Sequence, residues 1–273
     1  MKLASLIVFK DEADILPAWL KWMEDKVDYF LFRDNESTDE GAKIVQNHPK
    51  TIYYEKVEGE FTLSMWDKLI VEARKYLSND DWFVFSAPDL FPFFDIKEEI
   101  SKVLEKSNAY NCIETYYPNF FFTYEMYINY KKSKKYRKSI NKFNVGNYKY
   151  FYNTGHKVCS LIKNIEVKGE RVKFTKPKQE PPYIPNQNMY KSNLCIGHYR
   201  FRSPLQMKQR MNIRKKINPT HIKAKSFAHY PTWDWVDYLF KQSILHKFYG
   251  TFKLKQLDRL KLVRLIRKNK KLG

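Results

Sequence analysis

Four short apolar runs with strand character recur within the first ninety residues, and a stretch with helical spacing separates each from the next. The first, residues 3–9 (LASLIVF), is continuously apolar and rich in β-formers. ILPAWLKWMEDK then sets apolar residues at helical spacing before VDYFLF returns to strand character. STDEGAKIVQNH follows, with Ser37 or Thr38 expected to cap a short helix. After it come TIYYEKV as a third strand, a helix through MWDKLIVEARKYL, and DWFVFS as a fourth strand. This alternation implies an α/β fold, Rossmann-like in kind, with a mostly parallel central sheet and helices on both faces. Ligands of such sheets gather outside the C-terminal ends of the strands, so the loops after Phe9, Phe32, Val57 and Ser86 are the places for a site.

Beyond the fourth strand, DIKEEISKVLEKS reads as an amphipathic helix with Asp95 as N-cap and Glu98 three residues later. AYNCIETYYPNFFFTYEM reads as strand and turn. Residues 131–150, rich in Lys, Tyr and Asn, and residues 173–192, with four prolines, both read as loops. No run approaches the roughly 18–20 apolar residues of a membrane span, and the apolar start of the chain meets charge too soon for a signal peptide. Cys112, Cys159 and Cys195 are odd in number and widely spaced, which points to a reducing, cytoplasmic setting without a disulfide framework.

The net charge of +20 is unevenly placed. Residues 1–125 carry 14 Lys+Arg against 24 Asp+Glu, whereas residues 126–273 carry 36 against 6. A basic half of this kind suits phosphorylated ligands, anionic membranes or nucleic acid, and the acidic front half must serve another purpose.

The loop after the second strand reads Arg33-Asp34-Asn35-Glu36-Ser37-Thr38-Asp39. A carboxylate there can accept hydrogen bonds from a base N–H or ribose hydroxyls, while the next helix offers backbone donors; an N-capped turn with solvated charges is the plainer alternative. Neither GxGxxG nor GxxxxGK[ST] occurs, so the dinucleotide and P-loop routes to phosphate binding are absent.

Lys10-Asp11-Glu12, Trp19, Asp34 through Asp39, Asp81 through Phe85 leading into Ala87-Pro88-Asp89-Leu90-Phe91, and Gly197-His198-Tyr199-Arg200-Phe201-Arg202-Ser203-Pro204 with Gln206 and Arg210 form an ordered set of segments. In that order they resemble the family 2 and family 92-like glycosyltransferases. The resemblance spans roughly residues 3–240. It implies a GT-A type domain over 1–240, with a donor-binding half near 1–125 and an acceptor and phosphate half near 126–240, and leaves 241–273 as an appended segment. It further implies a nucleoside-diphosphate sugar donor, a glycan or lipid-linked glycan acceptor, and Glu12, Asp34, Asp89, Arg200 and Arg202 as donor contacts. Transfer with inversion is expected, and the sequence does not single out the carboxylate base that it needs. Glu125 and Glu180 are guesses.

In that family the loop after the fourth strand carries a DxD-like pair that holds a divalent metal, Mn or Mg, against the diphosphate as charge grows on the leaving group. Here Ala87 and Leu90 replace parts of the pattern and Asp89 remains. The implied metal ligands are Asp89 and His198. If GHYRFR is extended, period two sets His198, Arg200 and Arg202 on one face and Tyr199 and Phe201 on the other, and two guanidinium forks could neutralise a diphosphate with or without a metal.

Trp233, Trp235 and Tyr238 suit either a sugar platform or helix packing, and Gly155-His156-Lys157 is a weak acceptor candidate. From Phe252 onward, nine Lys or Arg residues alternate with leucines, as in a basic amphipathic helix lying on an anionic membrane surface, or one docked on its own domain. An enzyme at the cytoplasmic membrane face is therefore expected. Two other classes stand beside it. A nucleic-acid-binding protein would suit the basic half, but the front half is acidic and no zinc finger, RNP motif or KH loop occurs, which makes nucleic acid a poor partner. A GT-A-like chain that binds glycans without catalysis would suit Ala87 and Leu90.

Overall fold

The structure is a computed structural model and describes residues 1–59, 61–152, 157–174, 182–217 and 239–248. The segment 249–273, the aromatic group Trp233, Trp235 and Tyr238, His156 and Glu180 lie outside the described residues. In chain order the elements are β1 (Leu3–Phe9), α1 (Leu16–Met23), β2 (Tyr29–Asn35), α2 (Gly41–Gln46), β3 (Thr51–Val57), α3 (Met65–Ala73), β4 (Trp82–Ser86), β5 (Leu90–Pro92) and α4 (Ile96–Lys106). They continue as β6 (Cys112–Tyr116), β7 (Asn119–Phe121), α5 (Tyr124–Lys132), α6 (Lys134–Asn141), β8 (Tyr150–Tyr152), β9 (Lys157–Lys163), β10 (Glu166–Val167), β11 (Glu170–Arg171), β12 (Met189–Phe201), α7 (Pro204–Ile217) and β13 (His246–Lys247).

The chain forms two units, each assembled from two separate stretches of sequence. The first comprises Met1–Tyr117 with Lys157–Gly197, and the second the described residues of Pro118–His156 and His198–Gly273.

In the first unit the sheet order is β12-β6-β9-β4-β1-β2-β3. Strands β3, β2, β1 and β4 are mutually parallel, as the alternation of strands and helices required. β9 runs antiparallel between β4 and β6, and β6 is parallel to β12. All seven residues of β1 are buried, which is what a central strand covered on both faces needs. In α1 the buried positions Leu16, Trp19, Leu20 and Met23 repeat at the helical period, and Pro17 sits in its first turn, where a missing N–H costs nothing. Leu69, Ile70 and Ala73 of α3 join Leu6, Val8, Leu31, Phe83 and Phe85 in one core cluster. Truncating a buried leucine such as Leu69 to Ala in a core of this kind costs about 2–5 kcal/mol. Asp95 caps α4, its Oδ1 accepting from Glu98 N at 2.9 Å.

In the second unit β13, β8 and β7 are successively antiparallel, and β7 lies parallel to the last residues of β12. Its core is aromatic. Phe120 stacks on Tyr199 with centroids 4.5 Å apart, and Phe121 stacks on Phe201 at 5.0 Å.

Three local expectations are corrected. Residues 131–150 are largely helical rather than loop, because Thr123 caps α5 (Met126 N to Thr123 Oγ1, 3.3 Å) and Ser133 caps α6 (Tyr136 N to Ser133 Oγ, 3.1 Å). Only Met126 and Ile140 are buried in the two helices, so their apolar stripe is too thin to show as periodicity. The span 173–192 ends in strand, since β12 begins at Met189. Neither Ser37 nor Thr38 caps α2, whose N-cap position is Glu40; Ser37 binds a different loop.

Candidate functional site at the strand ends of the first unit

The order β3-β2-β1-β4 makes β1 the strand from which the sheet is built outward in both directions, and ligands of open α/β sheets bind outside the C-terminal strand ends at such a point. The register brings these ends level: Phe9 pairs with Asp34, Asn35 with Val57, and Ile7 with Ser86. β2 runs to Asn35, three residues beyond the Phe32 boundary read from sequence, so Asp34 belongs to the strand end.

The loops after β1 and β2 are laced together. Asp11 N donates to Ser37 Oγ at 2.9 Å, Thr38 N donates to Asp11 Oδ1 at 2.7 Å, and Ala13 N donates to Asp39 Oδ2 at 2.8 Å. Lys10 Nζ pairs with Glu36 Oε2 at 3.3 Å. Asp11 and Glu36 both adopt the left-handed region, with φ of 52° and 58°. A non-glycine residue held there costs on the order of 1–3 kcal/mol and persists only where its surroundings over-determine it. One such residue follows or ends each of two neighbouring strands.

Asp34 is fully buried, and each of its oxygens accepts a hydrogen bond: Oδ1 from Ser37 N at 2.7 Å and Oδ2 from the Tyr54 hydroxyl at 3.0 Å. Burial, and then the bond to this carboxylate, push the Tyr54 phenol up to about 12. Asp34 therefore braces the loop from within. Glu12 is half-buried, and its carbonyl accepts from Ile15 N and Leu16 N at 3.1 and 3.0 Å, opening α1.

Asp89 sits in the short turn between β4 and β5, closed by Leu90 N donating to Ala87 O at 2.9 Å. It is 4% exposed, so its carboxylate is not that of a solvated turn. α1 fixes this segment from the side: Trp19 Nε1 donates to Leu90 O and Trp22 Nε1 to Pro92 O, each at 2.8 Å. Sequence reasoning matched Trp19 by resemblance without a role, and missed Asp11, Ser37 and Tyr54 as the groups that set the loops. For Asp11 and Ser37 the one signal was polarity directly after strand-like runs, whereas Tyr54 lies within the third strand.

The other sequence-selected residues belong to the second unit. His198 and Arg200 are half-exposed and alternate with Tyr199 and Phe201, which are 1% and 2% exposed, as period two requires. Arg202 departs from the expected open face. It lies one residue past the strand and is 1% exposed, with a guanidinium N–H donating to Tyr199 O at 3.2 Å. Of the guessed bases, Glu125 accepts from Gln242 N at 3.1 and 3.2 Å.

Among the described residues no three His, Cys, Asp or Glu side chains are placed together as a metal cage. Asp89 offers one hard oxygen donor at the end of β4. A magnesium-like ion that keeps several waters and borrows phosphate oxygens needs about one or two carboxylates, so the donor chemistry fits at its lower limit. No helix among the described residues is long and apolar enough to cross a membrane.

No family model matches the chain, and no curated protein matches it. Among solved structures, HddC from Yersinia pseudotuberculosis is similar at 11% identity and a TM-score of 0.37, over 77% of this chain and 97% of that one. Mannose-6-phosphate isomerase from Helicobacter pylori is similar at 12% identity and a TM-score of 0.32, over 60% and 71%. A 4-diphosphocytidyl-2C-methyl-D-erythritol synthase is similar at 13% identity and a TM-score of 0.31, over 42% of this chain and only 60% of its own length. Scores of this size carry no functional argument.

Proposed function

We propose that this chain is an enzyme that handles a nucleotide sugar, and more narrowly a glycosyltransferase that moves the sugar of a nucleoside diphosphate onto a glycan or lipid-linked hydroxyl. The observation that supports it most is the pair of laced, left-handed loops at the C-terminal ends of β1 and β2, level with a buried Asp89 at the end of β4. In this reading the loops shape the nucleoside pocket. Asp34 acts indirectly, holding the Ser37 N–H and the Tyr54 hydroxyl, and Glu12 meets the ribose or sugar hydroxyls.

Departure of the diphosphate builds negative charge that must be met by cations or donors aimed at it. Asp89 would hold a magnesium or manganese ion there, whose contribution is to neutralise that charge. His198 and Arg200 are proposed as phosphate-recognising groups of the second unit, and Arg202 as the brace of the strand end that carries them. The acceptor's proton needs a carboxylate base, which the reading leaves unassigned. Attachment to an anionic membrane surface, from the basic sequence after Phe252, and a cytoplasmic location, from the three widely spaced cysteines, complete the proposal.

The deciding experiment is a thermal-shift panel of nucleoside diphosphates and their sugars, with manganese or with chelator, followed by assay of donor hydrolysis for any compound that stabilises the protein. Stabilisation by a sugar nucleotide with slow release of its nucleoside diphosphate is expected. Silence across the panel at millimolar ligand would sink the reading, and binding without turnover would leave a glycan or nucleotide binder.

A further inference from the structure

We propose a second ligand site, in the other unit, that binds a phosphate or diphosphate group. An open, shallow cavity of about 530 Å³ lies against α6, lined by Lys135, Lys138, Ser139, Lys142, Phe143, Asn144 and Asn147.

Its lysines are exposed, and three features single it out as a place for an anionic ligand. First, the lysines recur at i, i+3 and i+7, so α6 and the residue just after it present them along one side. Second, nothing offsets them locally. Among the described residues no ion pair involves Lys135, Lys138 or Lys142, and the sequence holds no Asp or Glu from 126 to 165. The C-terminal end of α6 carries a fraction of a negative charge, about half a unit, which three ammonium groups outweigh.

Third, the wall is fixed. Phe143 is 6% exposed, stacks on Tyr148 at 5.3 Å and meets Tyr199 edge-on at 5.4 Å. The turn after it is held by Asn144 Oδ1 accepting from Gly146 N at 2.8 Å, which leaves the Asn144 amide nitrogen as a donor. Ser139 and Asn147 add neutral donors beside the charged ones.

A compact point charge on a flexible stem is the usual lysine answer to phosphate, and three of them with amide and hydroxyl donors match a group of charge two or more better than a carboxylate. The class of ligand is thus a phosphate monoester or a diphosphate, carried either by a soluble sugar phosphate or by a lipid headgroup.

The test titrates the full-length protein with pyrophosphate at an ionic strength of about 0.15 M, where long-range attraction is already screened. The K135Q/K138Q/K142Q variant should bind at least tenfold more weakly. The K131Q/K132Q/K149Q variant, of equal net charge, should lose less than twofold. Mapping amine acylation by mass spectrometry should show pyrophosphate protecting Lys135, Lys138 and Lys142 but not Lys131. Equal losses in the two triple variants, no protection of the three lysines, or no binding of pyrophosphate would each overturn the site. All six substituted lysines are exposed, so circular dichroism should find both variants folded. Displacement of pyrophosphate by glucose 1-phosphate supports the soluble source, and displacement by vesicles containing phosphatidic acid supports the headgroup.

Discussion

The indole Nε1 of Trp19 donates to the backbone carbonyl of Leu90 at 2.8 Å, so the first helix of the chain holds the residue that follows Asp89. Trp19 is fully buried and packs tilted on Phe30 at 5.5 Å, which leaves its N–H a single well-defined direction. A carboxylate at the end of β4 is thereby positioned by a contact 71 residues away in sequence.

Trp19→Phe keeps an aromatic ring but removes this donor, leaving a buried carbonyl short of one bond. Urea unfolding should show a loss of about 1–3 kcal/mol. If Asp89 serves the donor site, stabilisation by a sugar nucleotide should fall further than the loss of stability alone explains.

Asp89→Asn keeps size and removes charge. Turnover of the donor should drop about a hundredfold, on the order of 3 kcal/mol of transition-state stabilisation, with urea stability changed much less. Wild-type turnover in the folded variant would take Asp89 out of the mechanism.

Tyr54 gives a pH signature. Its phenol ionises near 10 when unfolded and near 12 when folded, so between those values the unfolded chain holds fewer protons than the folded one. The stability it contributes is complete below pH 10 and is lost as pH rises towards 12. Tyr53 is also pushed up to about 12, by burial and by its bond to Glu55. Chemical denaturation across this range should show a decline in the wild type that Tyr54→Phe makes shallower and the double change to Phe makes shallower still, the raised Tyr199 and Cys195 contributing the rest.

Gly41 opens α2 where Asp39 closes back on the loop after β1. A Cβ there would lie 2.8 Å from Asp39 Oδ1, 3.0 Å from Phe9 and 3.2 Å from Leu16. Gly41→Ala should therefore destabilise by about 1–3 kcal/mol, although alanine is the better helix former. A variant as stable as the wild type, measured by urea unfolding, would mean that the Asp39 bonds to Gly41 N and Ala13 N yield freely.

The amino-acid sequence by itself determined four strands alternating with helices in a mainly parallel sheet, and the order β3-β2-β1-β4 came only with the tertiary structure. LASLIVF coincides with β1 because a strand buried on both faces must be apolar throughout, and TIYYEKV coincides with β3, a partly buried edge strand, because its β-branched and aromatic residues favour extended backbone; both are local properties of the chain. Asp95 was legible as a cap for the same reason, since its partner Glu98 N lies three residues away. The loop chemistry was not. That Ser37 would bind Asp11 N instead of capping α2, that Asp34 would turn inward to Tyr54, and that Trp19 would hold Leu90 all depend on partners 20 to 71 residues distant, which no periodicity encodes. The interleaved units have the same origin, because Lys157 and Pro118 join different cores only once strands pair across the chain. Helices α5 and α6 hid their nature by burying one residue each, and only folding reveals that their lysines border a cavity. Backbone preference and burial pattern are written along the chain, whereas the direction of a polar side chain is decided by whichever donor or acceptor the completed fold brings within about 3 Å.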